Sequence, residues 1–389
     1  MPLNVPLLER PRFFDLAPGE FDALIARLGW PTFRGKQVRD WVYNKHVTNP
    51  AQMTNLPAIE RTKLAESMVF TSASVTKQQD SNDGTIKLLL TWPDPSTSSG
   101  QAPSTSSGQV GSTAETVMIP DADRRTACVS SQVGCPVGCK FCASGINGVK
   151  GNLSAGQIVE QVYTFNQLLR NKDEEDGRTS SFILPPSSFP RITNVVFMGM
   201  GEPMSNYANV MQAVRILHDP QCLNLGARRI TISTVGVPSK MRELANEELP
   251  INLAISLHAP NEPLRKQLIP WAEHFALPEI LEAARYYFDK TGREITLEYI
   301  LLSGVNDQPE HAHELVRVCK TMRANVNLIR YNEVESLPFK RPKSHDVVTF
   351  QEILRQGGVN AHVRKSRGRD IDAACGQLRR KQEQLATPA

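Results

Sequence analysis

No stretch of this chain is apolar enough for long enough to cross a bilayer, and its first residues, MPLNVPLLERPRFF, carry charges where a secretory leader would be apolar. Neither a membrane protein nor a secreted one is expected. Charge of one sign is not in large excess either. The formal net charge is +4 over 389 residues, which is compatible with a nucleic-acid partner but too small to announce one, because basic faces are usually just solvated. A disulfide framework is also missing: there are seven cysteines, and four of them crowd between Cys128 and Cys142, a usage that points to a reducing cytoplasm. What remains is a chain with 40% hydrophobic residues, long enough for one large domain and a smaller one.

Three of those cysteines carry the strongest signal. Cys135, Cys139 and Cys142, in the run GCPVGCKFCASG, are spaced C-x3-C-x2-C. Iron–sulfur clusters that only carry electrons normally take four cysteines, so a three-cysteine loop implies one iron open to an exogenous ligand. Structural zinc is the other reading of such residues. Zinc ligands usually come as two paired halves, however, and this sequence has no second half-site.

Along the chain, helical patterns run through Glu20 to Leu28, Gly35 to Lys45 and Pro57 to Ser67, followed by a hairpin turning at Asp83-Gly84. Residues 1–93 are therefore read as a small N-terminal helical accessory domain. Its basic residues Arg34, Lys36, Arg39, Lys45, Arg61 and Lys63 are mixed with Trp30, Phe33, Trp41 and Tyr43. Such a mixture suits RNA contact, although the aromatics could equally form the core of a helical cap. Residues 94–113, with PSTSSGQ occurring twice, are expected to be a flexible insertion without chemistry. Residues 114–389 form the main domain, with a second surface insertion expected at 172–190 and a basic C-terminal tail.

In that main domain strands and helices alternate. Strand-like runs at 126–131, 192–198, 229–234, 251–257, 294–301 and 325–331 are separated by helical runs at 154–169, 207–217, 239–245, 278–289 and 310–322. Six such repeats specify parallel strands with crossover helices, either an incomplete barrel or a doubly wound sheet. Most strand ends carry a polar or glycine-rich group: the cysteine loop, Gly199-Met200-Gly201-Glu202-Pro203, Ser233, Ser256-Leu257-His258 and Asn332. Chemistry gathered at so many strand ends favours a barrel rim over a switch-point crevice, hence α/β with a partial (β/α)6 barrel. Gly201 lets backbone approach a ligand, and Glu202 can accept from an amino group. His258 alone would more often be a hydrogen-bonded core residue.

Five runs taken together are specific: ETVMIP (Glu115 to Pro120), CVSSQVGCPVGCKFC (Cys128 to Cys142), MGMGEP (Met198 to Pro203), ISLHAPN (Ile255 to Asn261) and RGRDIDAACGQL (Arg367 to Leu378). They resemble the RlmN/Cfr family of radical S-adenosylmethionine (SAM) RNA methyltransferases, and look closer to its RlmN branch. The resemblance implies one [4Fe-4S] cluster held by Cys135, Cys139 and Cys142. It implies SAM contacts from Gly201, Glu202, Ser233, Ser256, Leu257, His258 and Asn332. Where the family commonly has proline and tryptophan before that asparagine, this chain has Arg330 and Tyr331. The implied substrates are 23S rRNA, at an adenosine of the peptidyl-transferase centre, and tRNA. A flavodoxin or ferredoxin would supply electrons. The RlmN branch methylates adenine C2 and the Cfr branch C8 of the same rRNA base. A non-catalytic, metal-stabilised RNA-binding protein is the alternative from another class.

Chemically, adenine C2 is not nucleophilic, so simple methyl transfer from SAM would fail there. In the mechanism the resemblance implies, two SAM molecules are used per turnover. One methylates the Cys375 sulfur; the other yields a 5′-deoxyadenosyl radical that takes hydrogen from that S-methyl group. The methylene carbon bonds the base, Glu115 accepts the ring proton, and Cys128 attacks the Cys375 sulfur, leaving a Cys128–Cys375 disulfide. Cys222 and Cys319 are read as inert.

Overall fold

The structure, a computed structural model, describes residues 10–93, 112–175 and 190–378. The insertion expected at 94–113 lies outside the described residues except for its last two positions. That at 172–190 lies outside over 176–189, as do Arg379, Arg380 and Lys381 of the tail.

Three short helices open the fold: α1 (Pro18–Arg27), α2 (Phe33–Arg39) and α3 (Ala58–Ser67). Pro18 presets the first turn of α1, and the Glu20 carboxylate accepts from the Ala17 amide at 2.8 Å. α2 runs on into a π-helical turn at Asp40–Asn44, so the helix expected over 35–45 changes its winding midway. Phe13 packs on Phe14, Phe21, Tyr43 and Phe70 at ring separations of 5.1–5.4 Å; Tyr43 thus belongs to the core of this segment.

The hairpin β1 (Ser74–Asp80) and β2 (Ile86–Thr91) follows, then β3 (Thr113–Asp121) and β4 (Arg124–Cys128). These four strands pair antiparallel in sequence, so the hairpin grouped above with the N-terminal helices hydrogen-bonds into the large sheet. A small hairpin, β5 (Gln132–Gly134) with β6 (Val149–Asn152), brackets the cysteine loop. Next come α4 (Ala155–Glu175), β7 (Asn194–Phe197), α5 (Tyr207–His218), β8 (Ile230–Thr234), α6 (Pro238–Ala245), β9 (Asn252–Ser256), α7 (Glu262–Leu268) and α8 (Leu277–Thr291). The chain continues through β10 (Ile295–Leu301), α9 (Pro309–Cys319), β11 (Ala324–Arg330), α10 (Ser344–Gln356) and β12 (Ala361–Arg364). Proline in the first turn of α6, α7, α8 and α9 starts those helices sharply after their loops.

Among the described residues the main sheet has the order β1-β2-β3-β4-β7-β8-β9-β10-β11-β12, and from β4 onward every neighbouring pair is parallel. The strand–helix units from β4–α4 to β11–α10 make the partial (β/α)6 barrel. β12 adds a further parallel strand, and β1 to β3 extend the other edge. No helix among the described residues is long and apolar enough to cross a membrane.

Register then decides where the chemistry goes. Paired residues of neighbouring strands share a face, and along one strand the faces alternate. The pairs Lys87↔Val117, Val117↔Cys128, Cys128↔Val196 and Val196↔Thr231 continue through Ser233↔Ala254, Ser256↔Glu298, Glu298↔Asn327 and Asn327↔His362. One continuous face of the sheet therefore carries Lys87, Glu115, Cys128, Ser233, Ser256, Glu298, Asn327 and Arg364. The opposite face carries Ala127, Val195, Phe197, Ile230, Ile232, Leu253, Ile255, Leu297 and Leu328, all buried in the main core under the helices.

Candidate active site

The cysteine loop leaves β4 and is pinched at its base by the β5–β6 pairing, with the Cys135 amide donating to the Gly148 carbonyl at 3.1 Å. The Cys142 amide donates to the Cys139 carbonyl at 3.1 Å and closes the turn between them. Gly138 has φ +68°, and a Cβ on Gly145 would lie 2.9 Å from the Gly138 Cα, so two glycines let the loop fold on itself. Val137 and Phe141 bury with Val235, Leu268 and Ile269 in a second apolar cluster, against which all three cysteines pack.

Burial raises all three thiols. It pushes Cys135 up to about 12, with Cys142 adding to the rise while the Val137 and Gly201 amides oppose it. Cys139 is raised well above its usual range, first by burial and then by Cys142 and Cys135, with Arg265 opposing. Cys142 is raised by burial and relieved by Ser144 and the Gly145 amide. Among the described residues, no group of three or more His, Cys, Asp or Glu side chains is drawn together tightly enough to hold a single metal ion. Three desolvated thiols beside one another, with amides directed at Cys135 and Cys142, suit an iron–sulfur cluster, whose positive irons would favour the thiolates and whose sulfur ligands accept such N–H contacts.

Beside this loop sits the glycine-rich end of β7. Gly201 has φ +109°, and a Cβ there would lie 2.6 Å from Ser131 Oγ and 2.8 Å from the Gln132 amide. That position therefore needs glycine, because the loop lies directly on the start of the cysteine loop. Glu202 is buried, and its carboxylate accepts from the Met204 and Val235 amides, both at 2.9 Å. Ser233 and Ser256 lie side by side with their hydroxyls 3.3 Å apart. Leu257 is fully buried. His258 has φ +58° and accepts at Nδ1 from the Ile300 amide at 3.1 Å, a contact that leaves its proton on Nε2. Burial and Arg265 lower its pKa to about 3, so the ring is neutral, and it packs edge-on against Phe141 of the cysteine loop at 5.0 Å. Asn332 is buried between Arg341, which donates to its Oδ1 at 3.1 Å, and the Cys375 carbonyl, 3.4 Å from its Nδ2. The unusual Tyr331 beside it is fully buried.

Burial pushes the Glu202 carboxyl up to about 7, against the pull of the amides that bind it. A carboxyl raised in this way favours the folded state fully below the unfolded value near 4.5, and that contribution is lost as pH rises through about 7. The stability gap between wild type and Glu202→Gln should therefore shift by up to about 3 kcal/mol between pH 4.5 and 8, with the wild type losing ground as pH rises. Thermal melts of both proteins across that range test this, and parallel curves would refute it.

Cys375 lies on the loop from Gly368 to Leu378, which crosses the mouth of the barrel. Ala373 and Leu378 of that loop pack on Val117, Met200 and Cys128. The Ala143 amide donates to the Gly376 carbonyl at 2.8 Å and Ser144 Oγ to the Leu378 carbonyl at 2.7 Å, tying this loop to the cysteine loop. Cys375 is exposed, yet enough protein surrounds it for desolvation to push its thiol up to about 11, against the pull of Arg364. Cys128 is raised to about 12 by burial and then by Cys375, again with Arg364 opposing. Both are free thiols. Glu115 sits two residues before Val117, the partner of Cys128, so acid and thiol share a face as diagonal neighbours. The structure thus brings Cys128, Cys375 and Glu115 to one edge of the face, and Ser233, Ser256, Glu202, His258 and Asn332 to the rim beside the cysteine loop.

Beside these residues lie charged side chains that the sequence reading did not single out or, for Arg364, marked only as one cation of the basic tail near Cys375. Arg364 donates to Glu298 at 3.5 Å, and Glu298 also accepts from Asn327 at 3.0 Å; this buried network places a cation beside both Cys128 and Cys375. Arg265 is almost fully buried, donates to the Val235 carbonyl and leaves its Nε without a partner beside the cysteine loop. Lys87 is buried against Glu115 at 3.3 Å. A charged residue inside an otherwise apolar strand, as in ITLEYIL or IKLLLT, is the signal that marks such positions.

The same architecture is found in a solved structure, a radical SAM methyltransferase from Sphaerobacter thermophilus, which matches with a TM-score of 0.84 and 40% identity over 95% of this chain and 99% of that one. Fold and site together define a radical SAM methyltransferase. Residues 12–70 match a family model described as the ribosomal RNA large subunit methyltransferase N-terminal domain. A Bacillus licheniformis protein named probable dual-specificity RNA methyltransferase RlmN is 40% identical over 97% of this chain and 96% of its own length. One of the same name from Symbiobacterium thermophilum is 44% identical over 92% and 89%. The chain belongs to the RlmN family. An enzyme is thereby established, and the non-catalytic alternative falls away.

Proposed function

We propose that this chain methylates C2 of an adenosine in the peptidyl-transferase centre of 23S rRNA, and of the adenosine 3′ to the anticodon in tRNAs, by way of a methyl group carried on Cys375. The observation that carries this reading is the meeting of Cys128 and Glu115, on one sheet face, with Cys375 on the loop that is tied to the three-cysteine loop. The names of the relatives, as dual-specificity RNA methyltransferases, support the substrate class.

In this reading Cys135, Cys139 and Cys142 hold a [4Fe-4S] cluster, which when bound supplies the electron that cleaves SAM to a 5′-deoxyadenosyl radical. Glu202 takes the amino end of SAM, while Ser233, Ser256, Leu257, His258 and Asn332 line the rest of its cleft, with Gly201 giving it room. His258, held neutral with its proton on Nε2, is a donor there and not a base. The Cys375 sulfur accepts a methyl group from one SAM, S-adenosylhomocysteine leaving. The 5′-deoxyadenosyl radical takes a hydrogen atom from that S-methyl group, the methylene radical adds to C2, and the adduct gives back the one electron that began the sequence, while Glu115 takes the C2 proton. Cys128 then attacks the Cys375 sulfur; the S–CH2 bond breaks with its electron pair going to the carbon, which takes up a proton to become the new methyl. The disulfide left behind is reduced by two electrons from outside. Arg364 favours the thiolate of each cysteine in turn.

Residues 1–93 serve in this reading as the accessory domain that meets RNA. Exposed Phe33 lies under Arg34 at 4.9 Å and Trp41 under Lys45 at 3.9 Å, cation–aromatic surfaces suited to bases and phosphates. The enzyme works in the cytoplasm with a flavodoxin or ferredoxin as donor. Mass spectrometry of nucleosides from rRNA and tRNA treated with the purified enzyme decides the matter. 2-Methyladenosine in both pools is expected, and 8-methyladenosine as the sole product would overturn the assignment of C2.

A further inference from the structure

We propose that Lys87 is a positioning residue for the release step, its ammonium tying the carboxylate of Glu115 to the backbone of the loop that carries Cys375. This rests on the reading of Glu115 as proton acceptor and Cys375 as methyl carrier.

β2 is otherwise apolar, IKLLLT, and Lys87 is only 6% exposed within it. A lysine is seldom buried to that degree unless its charge is matched. Register fixes where it points: Lys87 pairs with Val117, which pairs in turn with Cys128, so all three face the barrel mouth. Its Nζ reaches two groups there, Glu115 Oε1 at 3.3 Å and the Asp372 carbonyl at 3.1 Å. An ammonium has three donors and no acceptor, so one group can serve both contacts at once.

Asp372 stands three residues before Cys375, in a left-handed conformation with φ +51°. Aspartate enters that geometry more readily than most non-glycine residues, and the contacts that hold the loop just before it fix where its carbonyl stands. Those contacts come from the same hairpin as Lys87. The Gly368 amide donates to the Asp83 carboxylate at 3.0 Å, and the Asp370 carboxylate accepts from Ser81 Oγ at 2.6 Å and the Asn82 amide at 3.2 Å. The turn of the β1–β2 hairpin thus clasps residues 368–370, and Lys87, one pleat further along β2, takes hold at Asp372. Base and sulfur carrier are referred to one side chain: when the loop is docked as here, Glu115 is held beside Cys128, and displacement of the loop removes one of the contacts that fix Lys87 against Glu115.

The consequence is a split between steps. Methylation of Cys375 needs its sulfur and SAM but not Glu115, and the loop keeps its clasp on Asp83 and through Asp370, so Lys87→Met holoenzyme should lose far less of its Cys375 methylation than of its adduct release, and the methylation that persists also shows that the variant is folded. Release of the RNA adduct should slow by about tenfold to a hundredfold, the cost of a misplaced base, and the covalent protein–RNA species should accumulate. Lys87→Gln, which keeps a donor without the charge, should be slowed as well, and Lys87→Arg should recover most of the rate. Quenched single-turnover reactions, read for S-methylcysteine by peptide mass and for adduct on denaturing gels, measure both steps. If Lys87→Met releases product at the wild-type rate while Glu115→Ala traps the adduct, the role given to Lys87 is wrong and that of Glu115 stands. If Glu115→Ala also releases normally, both are wrong. Equal loss of methylation and release in Lys87→Met and Lys87→Arg alike would mean a merely structural lysine.

Discussion

Cys139→Ala protein, purified without air, is expected to be colourless and to make no 5′-deoxyadenosine from SAM and a strong reductant. Its iron should fall from about four atoms per chain towards none. Cys139 is the most deeply coupled of the three: its thiol is raised by burial and by both of the other cysteines, and Arg265 is the cation that opposes this. A cluster left with two thiolates loses iron readily, and Cys135→Ala and Cys142→Ala should behave alike. The fold should survive. The loop keeps the Cys135–Gly148, Cys142–Cys139 and Ala143–Gly376 backbone hydrogen bonds, and loss of one sulfur from a partly buried site should cost about 1 kcal/mol. Circular dichroism of the colourless protein checks that. Full 5′-deoxyadenosine formation in any of the three variants would show that the cluster lies elsewhere.

Much of this was legible in the sequence because two strong periodicities coincide in it. The six strand-like runs of the main domain fall on β4 and β7 to β11 to within a few residues, since each is a short apolar run followed by a proline-started or amphipathic helix. β3 carries the alternation ETVMIP but sits against a low-complexity stretch that hides its start. β12 is a short AHVR whose polarity comes from facing the open mouth of the barrel. The role of the β1–β2 hairpin was legible only in part. Its Asp83-Gly84 turn is a local signal, but its partner β3 is more than twenty residues away in sequence, and no local pattern names a partner across such a gap. The site divided in the same way. Motif spacing pointed to the cysteine loop and the strand-end groups, whereas Lys87, Glu298 and Arg364 act through neighbours that register brings together, and Arg265 through the fold of helix α7 against the loop after β8. Lys87 and Glu298 are each a charge in an apolar run. That anomaly could have been marked without the structure, but not its partner.

Cys128→Ala protein made in cells should carry covalently attached RNA, visible on denaturing gels as a shift that ribonuclease removes, while Cys375→Ala should carry none. The two cysteines differ in place as their proposed roles require. Cys375 is exposed on a loop bounded by Gly368 and Gly376, both at positive φ, where it can meet SAM and then RNA. Cys128 is fixed at the end of β4, its thiol raised to about 12 by burial and then by Cys375 itself. A thiol so protonated needs a cation beside it to ionise; Arg364, which opposes the rise of both thiols, is that cation, and while Cys375 is carried as a thioether it does not compete for that charge. Removal of Cys128 therefore stops the sequence after the base has been bonded and before it can leave; removal of Cys375 stops it before any bond to RNA forms. Glu115→Ala should trap the same species as Cys128→Ala, with release slowed by about 10² to 10⁴, because the ring proton must go before the sulfur–carbon bond can break. Normal turnover by Cys128→Ala would exclude a two-cysteine route for this protein, however closely its motifs match the family.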